Sequence, residues 1–389
     1  MLPPAFATGC FLARLEDKRT NVAASPPRVW ALLSHRAGES SQILALAEAL
    51  AWPYERKVMH YRWSAGAIGL IRVSASAGVA ARSRAELEPP WPDLLITSGL
   101  RNEPVARWIA AQSGGATRVV FIGRTWAPME HFDLLVTTPQ YRVTPAPRVL
   151  ENSTTLQAVT VEKLKRAESE WHSRLANLPR PHIGVIVGGN SGPYTLGANG
   201  GRRLAAEVSR YAQKLNGSLL VTTSSRTSKE AVAEIESNLT GNYDFFPWRK
   251  NTPNPYFAYL ASADELVVTG DSIAMLSEAC ATCKPVSVYD LGRATLAMRH
   301  ERGRREKPGD WLRQDDFRLS AMTYWLMMKI GPRRLSRELR IVYERLLAEG
   351  RMGWFAEPPP AGPLPPLADV ERTVARVSAM MSERHRDRD

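Results

Sequence analysis

The sequence predicts an α/β protein of two domains, each a parallel sheet wrapped by helices. Three observations carry this reading. The chain has 389 residues, more than one typical core accommodates, so two domains are expected. Short apolar runs alternate with helical periods in two separate blocks, and such alternation implies parallel strands joined by right-handed crossovers. The apolar runs also end in small polar turns, clearest at residues 188–192, 222–227 and 270–272.

The first block begins after a loose N-terminal extension, residues 1–27, whose apolar piece is broken by Arg14, Glu16, Asp17 and Lys18 and makes a poor signal peptide. Residues 28–33 read as a strand, and Ile43, Leu44, Leu46, Ala47 and Leu50 set the period of the helix that follows. Further strands are expected at 57–61, 92–97, 118–122 and 132–137, with a helix at 103–112. Residues 28–150 therefore form one Rossmann-like domain. A linker helix over 160–178 ends at Pro179-Arg180-Pro181, which marks the expected hinge within 151–181.

The second domain, 182–330, repeats the scheme. Strands are expected at 183–187, 218–223, 243–246, 265–269 and 284–289, with helices at 200–215, 228–238, 254–261 and from 272. A helix follows over 331–356, broken from the one before it by Gly331-Pro332. Residues 357–389 read as a polyproline-like linker, a short helix from Ala368 and a charged tail.

Composition narrows the function. Hydrophobic residues make up 44% and charged residues 23%, an ordinary globular balance. The net charge is +12, and residues 291–351 hold 15 Lys/Arg against 8 Asp/Glu. A basic chain meets nucleic acid, an anionic membrane surface or an anionic substrate. No nucleic-acid module is recognisable, so the last two are expected and nucleic acid is not. Three cysteines make no disulfide framework, and Cys280 and Cys283 form a lone CxxC read as incidental. No run reaches the ~18 apolar residues of a spanning helix. A cytoplasmic chain is expected, resting peripherally on the inner membrane.

Chemistry is expected where strands end. In a doubly wound sheet the carboxyl ends of the strands line one crevice. Gly188, Gly189, Asn190 and Ser191 offer backbone N–H groups to a phosphate, and Asp271-Ser272 opens a helix whose N-terminus favours anions. Ser224, Ser225 and Arg226 form the third turn, and Glu278 lies deeper, as an acceptor for a ribose diol or as a plain surface carboxylate. In the first domain His35 follows a strand directly and suits a general base, with Glu39 a rival. Arg101 and Arg124, just past strand ends, suit an anionic group. No Asp-x-Asp metal motif is present, and no metal or other cofactor is expected.

The segment from Asn254-Pro255-Tyr256 through Asp271-Ser272, Ser277-Glu278-Ala279 and Lys284-Pro285 resembles the donor-binding region of two-domain (GT-B) nucleotide-sugar glycosyltransferases. It is particularly similar to the bacterial enzymes that form lipid II. A closer resemblance is to the elongated-mitochondria family, named for a plant mitochondrial fission factor, whose bacterial members are described as glycosyltransferases. The matching pieces include Gly38-Glu39, Gln42, Leu46-Ala47, Pro92-Asp93, Val187 to Ser191, Leu220 to Thr227 and Leu335 to Leu339, in order. Two places depart from the pattern: Thr137-Thr138-Pro139 replaces an expected Pro and His-Asp-like pair, and Cys283 replaces a helix-ending glycine.

The resemblance implies two facing Rossmann-like domains with C-terminal helices crossing back. It implies transfer of a sugar from a nucleotide-diphosphate sugar to a lipid-linked or lipopolysaccharide-core acceptor. Gly188 to Ser191 and Asp271-Ser272 would hold the diphosphate, Glu278 the ribose, and Ser224 to Arg226 the nucleotide or sugar. Asn254 and Ser277 complete the donor set, while Gln42, Arg101 and Arg124 face the acceptor and His35 or Glu39 the transferred sugar. Two other functions fit the same pattern: a non-catalytic membrane-associated scaffold, and a nucleotide-sugar epimerase.

Overall fold

The computed structural model describes residues 26–62, 65, 76, 78–293, 296–299, 314–332, 336–357, 364 and 366–386. The expected extension before residue 26 and most of the proline-rich linker lie outside them. Two six-stranded sheets are present, and every strand pair in both is parallel.

The first sheet has the order β2-β1-β3-β4-β5-β6. Its strands are β1 (Val29–Leu33), β2 (Tyr54–Val58), β3 (Leu94–Ser98), β4 (Arg118–Ile122), β5 (Leu134–Thr137) and β6 (Val149–Glu151). The central ones are apolar on both faces because helices cover both, so their sequence is a continuous run. β2 lies three residues before the expected 57–61. It is an edge strand, Tyr-Glu-Arg-Lys-Val, with mostly solvated side chains and no apolar signal. The short edge strand β6 escaped the sequence pattern for the same reason.

The second sheet has the order β12-β11-β10-β7-β8-β9, formed by β7 (His182–Ile186), β8 (Ser218–Thr222), β9 (Asn242–Phe246), β10 (Glu265–Thr269), β11 (Val286–Tyr289) and β12 (Gly353–Trp354). Taken from β7 outward this is the doubly wound order 3-2-1-4-5-6. The two-residue β12 was not expected. It returns the chain to the sheet edge after the helix Leu339–Ala348, whose Leu339, Val342, Tyr343 and Leu346 are buried in the same core.

The chain crosses between the domains earlier than the prolines suggest. Pro179 and Pro181, just before β7, are already bonded to the second sheet: their carbonyls accept from Ser218 Oγ at 2.7 Å and Ser218 N at 2.9 Å. The crossing point is around Thr154 and Thr155. Thr155 N–H donates to Ser277 Oγ in the second domain at 3.0 Å. Thr154 N–H donates to Asp369 Oδ2 at 2.9 Å, at the start of the last helix.

That helix, Asp369–Arg386, is longer than the short segment expected. Its Val377 and Met381 enter the core of the first domain beside Ile43 and Leu46, and Thr373 accepts from Asn152 Nδ2 at 2.9 Å. Burial of one apolar stripe explains why so charged a sequence is helical. The C-terminal helix thus crosses back onto the first domain.

Candidate functional site

Each sheet has a topological switch point, between β1 and β3 in the first and between β7 and β10 in the second. At the second, three loops are tied by one carboxylate. Asp271 is fully buried at its side chain and forms an ion pair with Arg226 Nη2 at 3.0 Å. It accepts from Gly189 N at 3.0 Å and from Thr269 Oγ1 at 2.7 Å, and Thr269 Oγ1 accepts from Gly188 N at 2.7 Å. Burial raises the Asp271 carboxyl above its ordinary value, and Arg226 and these hydrogen bonds pull it back. Gly188 and Gly189 are required by this closeness: a Cβ on the first would collide with the Asp271 carboxylate and on the second, at φ +142°, with the Arg226 carbonyl.

The loop therefore differs from the anion cradle expected of it. Asn190 N donates to the Arg226 carbonyl at 3.0 Å and Ser191 N to the Tyr194 carbonyl at 3.1 Å. Gly188 to Ser191 thus spend all four N–H groups inside the protein, because a buried carboxylate and two neighbouring loops claim them first. The Gly188 carbonyl is taken as well, by Thr227 Oγ1 at 2.6 Å and by Ser224 Oγ. What the loop offers a ligand is the half-buried Ser191 hydroxyl, with exposed Ser225 and the outer face of Arg226 nearby.

β10 runs through Gly270 into the helix Ile273–Ala281, whose N-cap Ser272 makes no side-chain cap bond. Its first turn faces the same switch point with its backbone dipole. Glu278, one turn further, accepts from the Tyr256 hydroxyl, and burial raises its carboxyl above the ordinary range while Tyr256 and Lys163 oppose the shift. Two residues of the predicted donor set do other work. Asn254 Oδ1 accepts from Tyr256 N at 2.8 Å and starts the helix Tyr256–Ser262. Ser277 is wholly buried, donating to the Ile273 carbonyl at 2.8 Å and accepting from Thr155. Lys284 caps the end of the helix Tyr256–Ser262 through the carbonyls of Leu260 and Ala263 at 2.9 and 2.7 Å, and through that of Ala261. Cys283 takes the left-handed φ of +57° that glycine usually supplies at a helix end. Burial pushes its neighbour Cys280 up to about 12, which makes that thiol inert.

The first switch point is more open. Glu39 lies in the first helix, Ala37–Ala49, accepts from Ser34 Oγ, and pairs with Arg36 Nη1 at 3.3 Å. It rests over Gly99, whose φ of +92° and missing Cβ make room for it. His35 is exposed, and its imidazole is held below the ordinary value by partial burial and then by Arg101 and Arg36, against the pull of Glu39. His35, Glu39 and Arg101 thus share one crevice edge. Gln42 sits a turn deeper, its Nε2 bonded to the Gly38 carbonyl at 3.1 Å.

Arg124 stands apart from that group. Its Nη1 donates to the Ser336 carbonyl at 3.0 Å, across the seam between domains, where Glu338 N also donates to the Gln140 carbonyl at 2.9 Å. Arg337 follows Ser336, and its Nη2 lies 3.4 Å from Ser191 Oγ.

The family model described as mitochondrial fission ELM1 matches residues 37–306. The chain belongs to this family. The mitochondrial fission protein ELM1 of Arabidopsis thaliana is 27% identical over 247 residues, 57% of this chain and 58% of the plant protein, so the chain spans less than two thirds of that relative. An uncharacterised protein of Rickettsia prowazekii is 20% identical over 295 residues, 67% of this chain and 82% of its own. Among solved structures, MurG of Acinetobacter baumannii is similar at 12% identity and TM-score 0.41, covering 91% of this chain and all of its own. UDP-GlcNAc 2-epimerase of Neisseria meningitidis, bound to UDP-GlcNAc, is similar at 14% and 0.42, covering 82% of this chain and all of its own.

For this ELM1-family chain the sequence pattern found the loops but missed residues at the seam. Arg337, Tyr141 and Tyr324 meet there and were not singled out. Arg337 lies within the quoted match from Leu335 to Leu339, which was the available signal. Tyr324 packs its ring on Gly192 and accepts the Arg337 N–H at 2.8 Å, so it joins the helix Leu319–Ile330 to the glycine loop.

Proposed function

We propose that the chain is a metal-independent glycosyltransferase that moves a sugar from a nucleotide-diphosphate sugar to a cell-envelope acceptor. The observation that carries this reading is the pairing of two switch points, one per sheet, with a tightly built loop cluster at the second and a histidine and carboxylate at the first. Open α/β sheets bind ligands at such points. Loop 188–192, Ser225, Arg226 and the turn at Ser272 hold the donor, with Asp271 fixing the loops rather than touching the ligand. Glu278, whose carboxyl burial raises above its ordinary value, accepts from the ribose.

In this reading His35 takes the proton from the acceptor hydroxyl as that oxygen forms its bond to the sugar's anomeric carbon. The bond from that carbon to the diphosphate breaks, and the diphosphate leaves with the electron pair. Partial burial and two arginines keep His35 neutral near pH 7, the state a base needs. Glu39 and Arg101 position it. The leaving charge is met by the helix N-terminus at Ile273 and by arginines.

A lipid-linked acceptor is supported by the surface of the helix Leu319–Ile330. Phe317, Leu319, Leu326 and Ile330 are 67%, 62%, 49% and 79% exposed, beside Lys329 and within the most basic part of the sequence. Apolar side chains in a cationic surround suit an anionic leaflet. Among the described residues no helix is long and apolar enough to cross a membrane.

The test is thermal unfolding of the purified chain against UDP-, GDP-, ADP- and CMP-sugars. One clear stabiliser is expected, since a ligand at 100 times its Kd adds about 2.7 kcal/mol. Silence across the panel would reject the enzyme in favour of a scaffold. Incubation with the stabilising donor alone should leave its sugar unchanged; an epimerised product would replace transfer with epimerisation.

A further inference from the structure

A cavity of about 300 Å³ lies in the second domain, a step beyond the glycine loop. Tyr194, Leu291 and Leu296 line it from the body of the domain, and Ala321, Met322 and Trp325 from the helix Leu319–Ile330. Protein interiors leave few voids larger than a water molecule, so a largely apolar space of this size is a place for a ligand. The charged and amide side chains around it are already engaged. Asp316 accepts from Gly197 N, Gly200 N and Asn199 N at 2.7, 2.9 and 3.1 Å. Asp315 pairs with Arg203 and Arg293 at 2.6 and 3.0 Å, and Gln314 Oε1 accepts from Arg293 N at 3.0 Å. Arg318 Nη2 donates to the carbonyls of Gly192 and Tyr194 at 2.9 and 3.1 Å. A Cβ on Gly197 or Gly200 would collide with Asp316, so the sequence makes room for this stretch and the cavity is preformed.

The helix above the cavity is apolar on two adjoining sides. Ala321, Met322 and Trp325 turn to the cavity, while Leu319, Leu326 and Ile330, on the next face round, are exposed. Phe317 belongs to both: it lines the cavity yet is 67% exposed, so it stands at the mouth. The exposed apolar row and the cavity thus meet at one side chain. We infer that the cavity seats the end of a lipid hydrocarbon chain, which enters past Phe317 from a membrane surface against the exposed row. A methylene group takes about the space of a water molecule, roughly 30 Å³, so about ten chain carbons fit. A nucleobase would ask the rim for hydrogen bonds that it has already given; a hydrocarbon chain asks for none. The proposal rests on the glycosyltransferase reading only for which lipid this is, the acceptor's.

The experiment is calorimetric titration of the full-length protein with hexanol, octanol and decanol, stand-ins for a chain end. One-to-one binding is expected, tightening about fourfold for each added methylene that leaves water. Ala321→Trp, which fills the cavity, should weaken decanol at least tenfold. Phe317→Ser, at an exposed position where folding is not at stake, should weaken it several-fold and decides alone if Ala321→Trp does not fold. Ile330→Ser, on the outer face, is the control and should keep wild-type affinity. Circular dichroism establishes that each variant is folded. Absence of saturable binding, affinity that does not grow with chain length, wild-type affinity in the folded cavity variants, or equal loss in the Ile330 control would each overturn the site. So would a wild type that does not bind phosphatidylglycerol vesicles. Tighter binding of naphthol than of decanol would give the cavity to an aromatic ligand, and affinity that falls as protein concentration rises would give the helix to a second copy; either overturns the lipid chain. A protein that binds decanol here but is stabilised by no nucleotide-sugar keeps the cavity and rejects the transferase. Stabilisation by a nucleotide-sugar without alcohol binding does the reverse.

Discussion

At the second switch point a wholly buried carboxylate ties three loops together, while at the first an exposed imidazole and a half-exposed carboxylate stand over a glycine. The first arrangement is rigid and internally satisfied. The second leaves titratable groups toward solvent, Glu39 held by Ser34 and Arg36 and His35 by no described hydrogen bond. On the proposed function the contrast is a division of labour. The donor side of that proposal is built before any ligand arrives, so little ordering entropy is left to be lost on binding. Its acceptor side keeps groups that can exchange protons with a substrate.

The contrast is tested most severely at Asp271. Replacing it with Ala strands the Gly189 N–H and the Thr269 hydroxyl and leaves the part-exposed Arg226 without its partner. Stability should fall by about 2–4 kcal/mol in denaturant titration, since two buried donors lose their acceptor at about 1–3 kcal/mol each and the part-exposed Arg226 is screened by solvent. A loss below about 1 kcal/mol would mean that the loops do not depend on this carboxylate and that the contrast is false. Gly189→Ala comes next. A left-handed position with a carbonyl in the way should cost about 1–3 kcal/mol and loosen donor binding, read from the same titration and from the nucleotide-sugar thermal shifts. Ser277→Ala is milder: it removes the acceptor for Thr155 and should cost about 1 kcal/mol. It leaves the donor's affinity unchanged if Ser277 serves the domain crossing and not the ligand.

How much of this was legible beforehand follows the same physics. Buried parallel strands such as Leu94–Ser98 and Arg118–Ile122 are apolar runs, and the sequence displays them. Edge strands such as Tyr54–Val58 are polar and leave no such mark. At the site, glycines and small polar residues announced three loops but not their bonding. Whether Gly189 N–H points outward or to Asp271 depends on two strand ends 82 residues apart. Ser277 and Asn254 were read as ligand contacts because they sit in a donor-like segment, yet their partners are Thr155 and Tyr256. Arg337 was passed over for the converse reason. Only its place in the matching piece Leu335 to Leu339 marks it, and that piece does not show that folding carries it to Ser191.

The smallest effect on stability is expected at His35, and it is the one that speaks to chemistry. An exposed residue held by no described hydrogen bond should change stability by no more than about 0.5 kcal/mol when replaced by Ala. Turnover with the stabilising donor and its acceptor should nevertheless fall by about 10²–10⁴-fold if the imidazole is the base. The pH profile separates a base from a spacer. The neutral imidazole is the active form, and its pKa in the folded chain lies below the ordinary 6.5. The midpoint of the acid limb should therefore lie below 6.5. Partial burial is the largest cause of that shift and Arg101 the second. Arg101→Gln should move the acid limb upward toward 6.5, whereas removal of Glu39, which pulls the other way, should move it down. A limb that stays fixed in both variants would take His35 out of the proton transfer and leave the crevice edge a binding surface alone.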